Sequence, residues 1–294
     1  MKSLLAVGIA SSALIVSGCS NSVPANIHMD RHDRNHSGSG QYRYDQDGDV
    51  SHIGSDMEVS GRIGGDLSLI GSDLDVNADI GGDMSLVGSD IDFDGSVSGE
   101  ANIAGSDIHW TGRAQRDIDI AGSDVNWSGM TEDSLSIAGS DVVIDGRVGQ
   151  NLDVAGSDIH VSADSEIGGN VSIAGSDIEI DGQISGNTEL TGNRIDLDGE
   201  IEGRMLARAY STRGWAWTGR DARYHTVHLN GSIGEGSAIC ARYVVISDTA
   251  SIAGNLMIFA DEPPTFESRL SPQNVTFDAI AGRDCDDLLD TYDN

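Results

Sequence analysis

The tripeptide Gly-Ser-Asp begins at Gly54, Gly71, Gly88, Gly105, Gly122, Gly139 and Gly156, each 17 residues after the last. It returns at Gly175 after 19 residues, where residues 163–166 (ADSE) accommodate two more, and a degenerate Gly-Asn-Arg starts at Gly192. Six equal steps followed by near copies define a repeat protein, and the repeat outranks any local reading.

Numbering each unit from its first Gly shows what the unit can fold into. Positions 4 and 6 are apolar, as in Ile108 and Trp110 or Val142 and Ile144, and so mostly are 14 and 16, as in Leu135 and Ile137. Position 8 is Gly or Ala, position 10 is often Ile or Val, and position 12 is often Gly. Even positions therefore point inward and odd ones outward, with the period of two that belongs to strands. Small residues at 8 and 12 suit corners. Seventeen is odd, so the alternation must slip once per unit, and the Gly-Ser-Asp corner is the place expected to absorb it.

These features predict an all-β chain: a single-stranded parallel β-helix, with three short strands and three corners per coil and neighbouring coils stacked at about 4.8 Å. All four prolines, Pro24, Pro263, Pro264 and Pro272, lie outside the repeats, as expected of residues that cannot donate to a ladder. WAWTGR (215–220) aligns with IHWTGR (108–113), and residues 243–259 align with 158–174 as a second 19-residue coil. The expected solenoid spans 48–259 in about twelve coils, right-handed by the general preference of parallel crossovers, with a left-handed winding as the alternative because inward positions 4, 10 and 16 are six apart like those of hexapeptide helices. Residues 260–294 are expected to form a C-terminal cap with a short helix near 284–290, and a rod capped at one end is expected as a monomer or small oligomer more than as a filament.

The N-terminus carries a different message. Lys2 precedes an apolar stretch, 4–16, too short to span a bilayer, and the segment ends in IVSGCS. Small residues directly before Cys19 resemble the lipobox of bacterial lipoproteins. That resemblance implies cleavage after residue 18, acylation of Cys19 and anchorage by several acyl chains. Ser20, rather than an aspartate, follows the Cys, which by the same resemblance implies the periplasmic face of the outer membrane. Residues 19–47 are polar and aperiodic and are expected to be a disordered tether. Cys240 and Cys285 remain. An oxidising compartment allows them a disulfide, with a pair of unlinked buried thiols as the alternative.

Short coils, glycine corners and β-branched inward positions over 48–259 resemble the bactofilins, polymer-forming cytoskeletal proteins of bacteria. The likeness is one of pattern. It implies a right-handed β-helix that associates end to end without nucleotide. The chain departs from that family in its export signal, since bactofilins are cytoplasmic.

Charge excludes one class of partner. The net charge is −31 and Lys2 is the sole lysine, so the chain is not expected to bind nucleic acid, a polyanion of its own sign. Within the repeat, Asp56, Asp73, Asp90, Asp107, Asp124, Asp141, Asp158 and Asp177 are expected to stack along one edge. Like charges about 5 Å apart repel by roughly 1 kcal/mol in water. Either the Asp and Ser side chains cap the turn by accepting backbone N–H bonds, or the carboxylates gather Ca²⁺. Ca²⁺ is the one cofactor the sequence raises. Phe93, Trp110 and Trp127 share position 6. Facing inward they form a stacked core, and facing outward a platform for sugar rings; Val, Ile or Leu at the same position elsewhere favours the core. His28, His32 and His36, four residues apart in the tether, have the spacing of a transition-metal site on a helix. The outward positions His109, Asn126, Val143 and His160 vary without a cluster of fixed roles. With no nucleophile motif, phosphate-binding loop or dinucleotide fingerprint, the chain reads as non-enzymatic. The function expected is an envelope scaffold, with a module binding polysaccharide, peptidoglycan or Ca²⁺ as the alternative.

Overall fold

The computed structural model divides into two units, 1–37 and 38–294, and describes residues 40–209, 225–267 and 273–293, all in the second. Cys19 and the His28, His32 and His36 group lie outside the described residues.

The second unit is a parallel β-solenoid in which each coil pairs in register with the next. One coil runs through Asp107–Trp110, Arg113–Ala114 and Ile118–Ala121. Its strands sit beneath Asp124–Trp127, Met130–Thr131 and Leu135–Ala138. The third face forms a continuous parallel sheet of thirteen strands, while the first and second faces join into another. Thirteen coils at about 4.8 Å make a stack roughly 60 Å long.

Alternation explains the core. In the coil from Gly105, Ile108, Trp110, Ala114, Ile118 and Ile120 are buried, and Asp107, His109, Arg113 and Asp119 between them are exposed. From Ile120 to the next buried residue, Val125, is five residues rather than an even number, so the parity slips across the Gly-Ser-Asp corner. Phe93, Trp110 and Trp127 all point inward, and the rings of Phe93 and Trp110 stack with centroids 4.2 Å apart. The glycine at position 8 makes room for them. A Cβ on Gly112 would stand 2.3 Å from the Phe93 ring, and one on Gly129 would stand 2.4 Å from Trp110 Nε1.

The stack begins earlier than the sequence indicates. Gly40–Gln46 is the first strand, with Gly40 opposite Met57 and Gln46 opposite Ile63, so residues 40–47 belong to the solenoid and not to the tether. It lacks the Gly-Ser-Asp start, but its half-buried Tyr42 and Tyr44 alternate with exposed Gln41, Arg43 and Asp45 and close over the core. Burial, and then the neighbouring Tyr42, raise the Tyr44 hydroxyl above its ordinary pKa.

The far end also differs. The ladder passes from Arg194–Leu197 to Thr226–Leu229, and the coil expected at 215–220 lies outside the described residues. The stack also continues past 259. Thr265–Phe266 pairs with Tyr243–Ile246, and Val275–Ala279 pairs with Leu256–Ala260. The helix, Cys285–Asp293, does not close the end of the stack. It packs sideways on the outer surface of Met205–Ala209 and Ala238–Ala241. Leu206, Ala238, Phe259, Ile280, Leu288 and Leu289 form a second apolar cluster there. A bond joins Cys240 to Cys285 across it. The strands beneath are buried on both faces, which is why "MLARA" and "AICA" lose the apolar–polar alternation of earlier coils. Asp284 Oδ1 accepts the N–H of Asp286 at 3.0 Å, capping the helix.

Candidate functional site

The repeat sets two columns of polar side chains, one on each side of the third face. The first is the Gly-Ser-Asp corner. All eight aspartates from Asp56 to Asp177 are exposed, and each lies opposite the next: Asp56 with Asp73, Asp107 with Asp124, Asp158 with Asp177. The column ends where Asp177 meets Arg194. The corner itself is held by backbone: the Ser106 carbonyl accepts the N–H groups of both Ser123 and Asp124 at 2.9 Å. Hydrogen bonding to Asp90 and Asp56, with burial and their charges behind it, raises the Asp73 carboxyl above its ordinary range. Asp75 is raised by burial and by Glu58 and Asp92. A straight file places each carboxylate beside two others rather than around one point. Such a file attracts cations over its length without by itself forming a cage.

The turn-capping role belongs to another column, at position 13. Asp66 Oδ1 accepts the N–H of Asp83 at 2.9 Å, Asp83 that of Glu100 at 3.0 Å, and Asp117 that of Ser134 at 3.0 Å. Asn151, Asn170 and Asn187 continue it to Arg204. Each of these Asp and Asn side chains reaches one coil along the stack and satisfies a backbone donor that falls between two strands. The glycine before it is part of the arrangement, since a Cβ on Gly82 would meet Asp66 Oδ1 at 2.1 Å. Sequence reading missed this column because its residues vary through Asp, Glu, Ser and Asn. The members that accept are Asp, Asn and Ser, short oxygen-bearing side chains at a fixed place; Glu100 interrupts them.

Between position 3 and the second face, position 5 points outward from the first sheet. It carries Asp92, His109, Asn126, Val143, His160, Glu179, Asp196 and His228 in successive coils. His109 faces Asp92 on one side and Asn126 on the other. His160 differs, standing opposite Glu179 with Nδ1 3.3 Å from its Oε2, while Nε2 lies 3.9 Å from Asp181 Oδ2. Among the described residues, His160, Glu179 and Asp181 form a group of potential ligand atoms within 4.8 Å of one another. Burial first, then Glu179, raises the Asp181 carboxyl, against a lowering by His160.

Shallow open grooves follow positions 3 and 5 along this face. Trp110 and Trp127 are in the core, so neither is an outward platform for sugar. Among the described residues no helix is long and apolar enough to cross a membrane. Fold and surface together define the class: a parallel β-solenoid repeat protein with an acidic outer face. No family model, curated protein or solved structure matches the chain.

Proposed function

We propose that this protein is a lipid-anchored, non-enzymatic scaffold of the bacterial envelope whose rods associate end to end, in the manner the bactofilin likeness implies. The observation that carries the reading is the state of the two ends. Among the described residues, nothing pairs with the outer edge of Gly40–Gln46 or of Val50–Ile53, nor with the far edge of Val275–Ala279. Half-buried Tyr42 and Tyr44 lie at one end of the core and Phe266, Val275 and Phe277 at the other. Open parallel edges over partly covered apolar side chains favour addition of another copy. Ile53, 81% exposed on the first strand of the third face, adds to the apolar surface there. The Cys19 lipid would hold such a rod at the periplasmic face of the outer membrane.

Sedimentation and electron microscopy of the mature protein test the association. Rods in multiples of about 60 Å are expected, lost on Ile53→Lys. Monodisperse monomers at tens of micromolar would overturn it. Labelled palmitate incorporation, abolished by Cys19→Ala, tests the anchor separately.

A further inference from the structure

We propose that His160, Glu179 and Asp181 form a binding site for a first-row divalent transition metal of the Zn²⁺ type.

The donor set is the first support. One imidazole and two carboxylates within 4.8 Å combine the nitrogen and oxygen ligands such ions take, whereas Ca²⁺ is served by oxygens alone. Rigidity is the second. His160 and Glu179 lie on paired strands in fixed register, and Asp181 directly follows the strand that bears Glu179. The ligands therefore need little ordering on binding.

The adjoining coil bounds the site. Asp196 stands opposite Glu179, and its Oδ1 is enclosed without a hydrogen bond. Its nearest cationic candidate, His228 Nδ1, is 3.6 Å away, and Arg194 pairs with the other oxygen. His228 and Arg194 are thus the cations beside Asp196, and its carboxylate is not counted among the ligands. A surface ion pair of protonated His160 with Glu179 would account for one contact, but it leaves Asp181 3.9 Å from the other ring nitrogen, beyond hydrogen-bonding distance. His109, in the same column, lacks this surround and serves as an internal comparison.

The test uses untagged full-length protein carrying His28→Ala, His32→Ala and His36→Ala, so that the tether histidines contribute nothing. Titration calorimetry with Zn²⁺ alone is expected to show one ion per chain. His160→Ala should weaken binding by at least about tenfold, as should Glu179→Gln with Asp181→Asn, while Asp107→Asn and His109→Ala leave it unchanged. Co²⁺ should give visible ligand-field bands that His160→Ala removes. Far-UV circular dichroism shows that each variant keeps the solenoid. No stoichiometric Zn²⁺ binding, binding indifferent to His160→Ala, or equal displacement by equimolar Ca²⁺ would each overturn the site.

Discussion

At the Gly-Ser-Asp corner, Asp107 projects into water and the Ser106 carbonyl takes both donors of the next coil; at the corner before the third face, Asp117 itself accepts the N–H of Ser134 at 3.0 Å. Asp107 and Asp117 are the same residue type, each in a column that recurs at the coil's interval. One column caps the backbone, and the other carries charge against its own neighbours. Regular recurrence thus marks the geometry of a coil, and only the destination of each oxygen tells what a side chain contributes.

The sharpest break of this comparison is a glycine. Gly82→Ala should be the most damaging of the substitutions at the capping corner, because its Cβ would displace the Asp66 oxygen and crowd backbone at 2.8 Å. Measured by denaturant unfolding, it should cost less in an Asp66→Ala background than in the wild type, a coupling that a purely backbone clash would not show. Next, Asp83→Ala or Asp117→Ala should each destabilise by about 1 kcal/mol through the uncapped N–H. If these are silent, the capping column is ornamental.

Asp107→Asn combined with Asp124→Asn and Asp141→Asn should leave the melting temperature unchanged or raise it, since it removes only repulsion. A loss as large as that of Asp117→Ala would erase the distinction between the corners. The smallest effect is on pH. The carboxyls of Asp73, Asp75, Asp153 and Asp181 are raised in the folded chain, so the fold holds protons more tightly than the unfolded chain there. Stability from these groups is therefore fully present below their ordinary pKa and lost as pH rises through the raised values. Melting temperature should climb modestly as the pH falls toward the ordinary carboxylate range, against the usual acid destabilisation, and added salt should reproduce part of the gain. His225, lowered by burial and then Arg242, works in the opposite sense below its ordinary pKa and limits the climb.

Much of this architecture was legible from residues alone. The 17-residue interval fixed the coil, the inward alternation placed Trp110 and Trp127 in the core, and the extra residues at 163–166 appear as a turn in which Ser165 is buried and donates to the Ile144 carbonyl. The boundaries were not, because the first and last coils lack the corner tripeptide and are set by pairing to neighbours. The capping column was obscured by its mixed residue types. The lengthened coil sets His160 opposite Glu179, both at position 5, but the approach of Asp181 across the corner could not be read because position 7 lies beyond the strand. The buried double-faced strands "MLARA" and "AICA" did carry a signal for the lateral helix, in their missing alternation.

The lateral helix has a mechanical consequence. The Cys240–Cys285 bond and the Arg208 contact to Asp286 at 3.1 Å fasten the C-terminal coils from the side, whereas nothing comparable crosses the N-terminal coils among the described residues. A pulling force applied at the N-terminal end should peel the rod one coil at a time. Each released coil would add a near-constant length, roughly 56–61 Å for 17 residues, and the series should stall at the disulfide.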